Sequence, residues 1–266
     1  MTHVKSNNVN IDEIEFSKPT LYKNNSGGCG ISMFYNKQRF DFQTPRLLNL
    51  FGLNIYRDEK TDKIKSITIT LQFNSGTDKI NRVDNFLKKI KTFDNKVKEM
   101  GNKNHKKWLQ CNKPIPKEAL TALYKKTLYY RVLPTGETDY GIPPTFKVKL
   151  PYYNGELGDI TVLNEKNESI PYDLEYLEKK IVDKCIIKCI VQPSIWIVDK
   201  KFGVTYNLKA LQIFENNIKK QKGKKQNKKE TNKGINTYFG KMKDESDGSD
   251  DLDDLDDSDD DDFELN

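Results

Sequence analysis

The sequence is poor in the side chains that carry chemistry at neutral pH. Its 266 residues hold two histidines, four cysteines and two tryptophans. Histidine is the commonest general acid–base residue. His3 sits near the start of the chain and His105 beside Lys106 and Lys107, so His105 reads as a solvated helix-end residue rather than a base. No phosphate-binding loop is present, because Gly27-Gly28-Cys29-Gly30 is not followed by Gly-Lys-Ser/Thr; the run reads as a turn. Cys29, Cys111, Cys185 and Cys189 form no disulfide framework and suit a reducing compartment. Cys185 and Cys189 share one strand face, but no second Cys/His pair accompanies them. Core packing is therefore expected, not zinc. The Asp run near the end lacks the glycine and the spacing of a calcium loop. No stretch approaches the ~18 apolar residues of a membrane span, and residues 1–10 lack a signal-peptide core. These absences argue against an enzyme. They predict no metal, no cofactor and no membrane partner. An intracellular protein is expected.

What the chain does have is segregated charge. The net +6 conceals two opposed regions: residues 244–266 carry fourteen Asp/Glu and no Lys or Arg. The other 243 residues therefore hold 45 basic against 25 acidic side chains, +20 in all. Seven of the eleven residues from 219 to 229 are lysine, with no apolar side chain among them. Blocks of like charge repel and stay solvated, so the chain is expected to be disordered from about residue 216 onward. A basic body with an acidic string points to a polyanion as ligand and to a tail that competes for the same surface.

Residues 1–215 are long enough for one large domain. Ile67, Ile69, Leu71 and Phe73 alternate with Ser66, Thr68 and Thr70, which predicts a strand with one apolar face. The period then changes. Ile80, Val83, Phe86, Leu87, Ile90, Phe93, Val97 and Met100 recur every three to four residues among lysines and predict an amphipathic helix. A short second helix is expected over residues 117–124, after Pro114 and Pro116. Strands return at 129–132, 145–150 and 159–163, and a short helix is expected at 172–181. The best hairpin spans 184–198 and 203–214, joined by Asp199-Lys200-Lys201-Phe202. The expected fold class is β-rich α+β with a helical insertion at about 80–125.

Single-stranded nucleic acid is held by cations along its backbone and by exposed rings stacked on its bases. The residues expected to do this are Tyr129, Tyr130 with Arg131, Phe146 with Lys147 and Lys149, Lys188, Trp196, Lys200, Lys201, Phe202 and Tyr206; Tyr152 and Tyr153 are further candidate rings. On 184–198 one face reads Cys185, Ile187, Cys189, Val191, Ile195 and Ile197, a core face. The other carries Lys188, Gln192 and Trp196, which could line a groove.

Phe42-Gln43-Thr44-Pro45 leading to Leu50-Phe51-Gly52-Leu53, then Pro144-Thr145-Phe146-Lys147-Val148-Lys149, then Pro193-Ser194-Ile195-Trp196 with Lys201-Phe202-Gly203-Val204-Thr205-Tyr206, resemble giant-virus single-stranded DNA-binding proteins, and through them the T7-type phage family. The resemblance implies an OB-fold, a five-stranded barrel whose groove binds single strands, with an acidic C-terminal tail. Phage tails of this kind end in an aromatic residue, whereas here Phe263 is followed by Glu264-Leu265-Asn266. Asn232, Ile235, Tyr238 and Phe239 match the spacing of a sliding-clamp (PCNA-type) peptide, with Asn where that motif has Gln. The alternative for that segment is a chance match in a Lys/Asn-rich linker. The resemblance implies single-stranded DNA binding in viral DNA replication, recombination or repair, in a host nucleus or at a cytoplasmic viral replication site. Expected partners are the DNA, a sliding clamp and other replication proteins reached through the tail; a homodimer is left open. The competing reading is a duplex-DNA packaging protein or a histone-chaperone-like protein with an acidic tail.

Overall fold

In the computed structural model of the protein, residues 4–5, 8–22, 27–74, 78 and 80–214 are described. The ten principal elements are β1 (Cys29–Tyr35), β2 (Leu47–Arg57), β3 (Ile64–Gln72), α1 (Ile80–Lys103), α2 (Lys117–Leu123), β4 (Thr145–Leu150), β5 (Thr161–Leu163), α3 (Leu174–Lys180), β6 (Ile186–Val198) and β7 (Lys201–Phe214). Five of them close on themselves, in the order β6-β2-β3-β4-β7 and back to β6. Every contact in that ring is antiparallel except β4 with β7, where Val148 pairs with Tyr206 in parallel. Taken along the chain, this is a five-stranded barrel whose third and fifth strands run parallel, the OB-like arrangement. β1 and the short strand Phe42–Gln43 pair with β6 outside the ring, and β5 pairs with β7.

Alternation decides which side chains fill the barrel. On β3 Ile67, Ile69 and Leu71 are wholly buried, and on β4 Phe146, Val148 and Leu150 are too. On β6 the core face is Cys185, Ile187, Cys189, Val191, Ile195 and Ile197, as the sequence pattern predicts. Burial pushes the Cys189 thiol above its ordinary pKa, which suits a packing role. The β6–β7 turn is tighter than expected. Asp199 and Lys200 alone make it, both at positive φ, the geometry of a two-residue hairpin turn. The glycine run also differs from expectation. Only Gly27 is turn-like; Gly28 leads straight into β1.

α1 is inserted between the second and third barrel strands and lies on the core through Val83, Phe86, Ile90, Phe93 and Val97, all nearly inaccessible. Phe86 meets the rings of Phe42, Phe73 and Phe146 at 5.8, 5.5 and 5.8 Å. Tyr206 closes this aromatic cluster against Phe42 and Phe146. α1 ends at Lys103, just past the last periodic residue Met100, and a single turn at His105–Trp108 follows. His105 is half-buried rather than solvated: its Nδ1 donates to the Asn102 carbonyl at 2.8 Å, so it caps the helix end. Among the described residues, no helix is long and apolar enough to cross a membrane.

The contact between α1 and β7 leaves no spare volume. A Cβ on Gly101 would lie 2.7 Å from the Phe202 ring, which is itself fully buried. Helix propensity favours Ala over Gly by about 1 kcal/mol, whereas overpacking a rigid core costs about 1–3 kcal/mol. Gly101→Ala should therefore lower the thermal unfolding midpoint. A rise would mean that the interface yields more easily than its packing implies.

Candidate nucleic-acid interface

The site is built around a short crossing segment. Tyr124–Lys125 leaves α2 and pairs in parallel with Phe202–Gly203 at the start of β7. Five residues later Tyr129 exchanges backbone hydrogen bonds with Thr145 at the start of β4, at 2.8 and 2.9 Å. The segment thus bridges two barrel strands at the ends where they diverge. Asp94 of α1 holds it in place. Its carboxylate accepts from the Tyr124 hydroxyl (2.7 Å), the Thr127 amide (3.1 Å) and the Thr127 hydroxyl (2.5 Å). Burial raises the Asp94 pKa, opposed by those hydrogen bonds and by Lys98. Burial likewise pushes the Tyr124 hydroxyl far above its usual range, with the Asp94 charge adding to it.

Two adjoining hollows flank this segment. A cleft of about 550 Å³ is lined by Leu123, Lys125, Lys126, Tyr129, Tyr130, Thr138, Trp196 and Lys201, among others. A second, of about 230 Å³, runs over Thr68, Lys147, Lys149, Trp196 and Thr205. They share Lys125, Lys126, Tyr129 and Trp196. Among the described residues, five lysines line the pair of hollows and no carboxylate does. Such an uncompensated concentration of one charge sign focuses field and attracts polyanions. The Lys147 ammonium lies 5.4 Å from the centre of the Tyr129 ring, a cation–π arrangement that keeps ring and charge side by side. The hollows lie on the second and third strands of the barrel and near the turn between its fourth and fifth, the face OB-folds use for oligonucleotides.

Trp196 forms the floor where the hollows meet. It pairs across the sheet with Gly203, and a Cβ there would come within 3.0 Å of the indole. The missing side chain lets the ring lie over β7, leaving Trp196 half-buried and in the cleft lining.

Of the expected residues, Tyr129, Tyr130, Lys147, Lys149, Trp196 and Lys201 line these hollows, with Arg131 and Lys200 exposed immediately beside them in the chain. Four expected residues do not present a binding surface. Phe146 and Phe202 are wholly buried and Tyr206 is 1% exposed, because each is on the inward phase of its strand. Stacking needs an exposed ring face, so these three rings pack the core. Lys188 is 7% exposed and shares its strand face with the fully buried Ile190, so that end of β6 is covered and does not line the groove. Tyr152 and Tyr153 belong to a separate hairpin with Glu156–Leu157. Lys125 and Lys126 went unrecognised in the sequence. Their signal was a basic pair four residues before two adjacent tyrosines, hidden because it follows directly on a helix. The expected tail residues Asn232, Ile235, Tyr238, Phe239 and Phe263 lie outside the described residues.

The fold and site define a class: an OB-like barrel with a lysine-lined, aromatic cleft on its outer face. No protein-family model matches the chain, and no curated protein matches it significantly. Among solved structures it is similar to the single-stranded DNA-binding protein of bacteriophage Enc34 in complex with ssDNA, at 15% identity and a TM-score of 0.40, covering 75% of this chain and 91% of that one. It is also similar to gp2.5, a single-stranded DNA-binding protein encoded by bacteriophage T7, at 12% identity and a TM-score of 0.37, covering 66% and 91%.

Asp94 makes the cleft wall sensitive to substitution. Asp94→Ala strands the Tyr124 hydroxyl and two Thr127 donors, each at a cost of about 1–3 kcal/mol when left unpaired, and should destabilise the fold while loosening the wall. Asp94→Asn keeps one acceptor and removes the charge. Because the folded-state pKa is raised, the wild-type carboxyl binds its proton more tightly folded than unfolded. That contribution is complete below the ordinary value of 3.8 and is lost as pH rises through the folded pKa. The stability of Asp94→Asn relative to wild type should therefore increase with pH across that window in denaturant titrations.

Proposed function

We propose that the domain spanning residues 1–215 binds single-stranded DNA without sequence preference, as a non-catalytic protein of viral DNA replication, recombination or repair. One observation carries the reading. On the outer face of an OB-like barrel, Trp196 and Tyr129 share a cleft with Lys125, Lys126, Lys147, Lys149 and Lys201 and, among the described residues, with no acidic side chain. Lysines track a phosphate backbone by counterion release, and accessible rings stack on unpaired bases whatever their identity. Duplex DNA keeps its bases stacked on each other, so the rings would add nothing to duplex binding.

The same reading gives residues 216–243 and 244–266 a role. The acidic string competes with DNA for the lysines and is displaced when DNA binds, which frees Phe263 and the segment containing Asn232, Ile235, Tyr238 and Phe239 to engage a sliding clamp or other replication proteins. Its support is the opposition of charge along the chain, +20 against fourteen carboxylates.

Tryptophan fluorescence tests the first part cleanly. Trp108 is 4% exposed, edge-on to Phe16, so a change on titration reports Trp196. Oligo-dT should quench that signal and bind more tightly than duplex of equal length, and Trp196→Ala or Tyr129→Ala should each weaken it by about tenfold. Equal or tighter duplex binding would instead favour the packaging or chaperone role. Removing residues 244–266 should raise affinity for oligo-dT and flatten its salt response at low ionic strength; unchanged affinity would end the self-competition idea.

A further inference from the structure

Gly27-Gly28-Cys29-Gly30 does not make a simple turn. Gly28 and Gly30 lie along the start of β1; Gly30 faces the ring of Tyr22, and Gly28 faces that ring together with the Val198 side chain, whose Cγ2 would lie 2.9 Å from a Cβ on Gly28. A Cβ on Gly28 would lie 3.0 Å from Tyr22 Cδ2, and one on Gly30 would lie 3.2 Å from Tyr22 Cε1 and 3.5 Å from its hydroxyl. The ring of Tyr22 therefore extends along the strand from one glycine to the other. Its amide donates to the Gly28 carbonyl at 3.0 Å, which fixes the backbone beneath it. Tyr22 is nonetheless 38% exposed.

The register makes this more than local packing. Gly30 pairs with Trp196, and Trp196 pairs with Gly203, so the three positions form one row across β1, β6 and β7. At each glycine a ring takes the place of the missing side chain: Tyr22 on Gly30, and the indole of Trp196 on Gly203. Gly203 in turn pairs with Lys125 of the cleft. With strands about 4.8 Å apart, the two glycine seats are about 10 Å apart on the same outer face. A row of accessible rings on glycine seats, continuing directly from a basic cleft, is the form of a sequence-tolerant stacking platform.

We propose that Tyr22 is a further base-stacking residue, and that the nucleic-acid track runs from the lysine cleft across Trp196 onto β1, with Gly28 and Gly30 as the seat that holds the Tyr22 ring. This rests on the single-stranded DNA reading above and extends it by one strand. The phenol hydroxyl has no part in stacking, so the aromatic face alone matters.

The experiment titrates full-length Tyr22→Phe, Tyr22→Leu, Tyr22→Ala and Trp196→Ala proteins with a long oligo-dT by fluorescence anisotropy, alongside thermal unfolding. Tyr22→Phe should bind as wild type. Tyr22→Leu, which still covers the glycines but offers no π face, should keep the unfolding midpoint and bind about tenfold more weakly, and Tyr22→Ala should bind no better. If Trp196→Ala weakens binding while Tyr22→Leu binds as wild type, the extension is wrong and the cleft stands. If neither weakens binding, the single-stranded DNA reading falls, and the extension with it.

Discussion

A sheet whose first and last strands do not meet leaves two rows of unpaired backbone groups, and here the β6–β7 hairpin is what makes them meet. β6 pairs with β2 and β7 pairs with β4, so one long hairpin closes the ring. Closure removes the edges and forces every ring strand to present one face inward and one outward. That single constraint sorts neighbouring residues into opposite roles. Lys147 goes to solvent and Phe146 to the core; Lys201 goes to the cleft and Phe202 beneath α1.

α1 serves the barrel and the site together. Phe86 joins Phe42, Phe73, Phe146 and Tyr206 in one aromatic cluster, and aromatic pairs at these separations stabilise a core beyond their buried area alone. Two turns further along the same helix, Asp94 holds Tyr124 and Thr127, and Gly101 admits the Phe202 ring. The segment that carries Lys125, Lys126 and Tyr129 is thus tied to the helix that packs on the aromatic core. A binding surface on a rigid support loses little entropy on engaging its ligand.

Electrostatics on the cleft follow from what is absent as much as from what is present. Ion pairs such as Lys179 with Glu175 and Lys103 with Glu99 join exposed side chains one helical turn apart and contribute little. Lys125, Lys126, Lys147, Lys149 and Lys201 take part in none of these pairs, and their charge remains available to a phosphate backbone.

Read alone, the sequence determined the strand periods on β3 and β6, the apolar stripe of α1, the hairpin before Phe214 and the opposition of charge between body and tail. Those are local patterns, and period and composition carry them without reference to distant residues. It also brought Trp196, Tyr129 and the lysines of β4 into one candidate set. Tertiary structure alone decided which rings face solvent. Phe146, Phe202 and Tyr206 each sit beside a lysine or a threonine in the chain, and only the closed barrel assigns them to its interior. Nor could local pattern place Lys125 beside Gly203, or Gly30 beside Trp196. Those neighbours depend on strand register between segments far apart in the chain, and register is set when the ring closes.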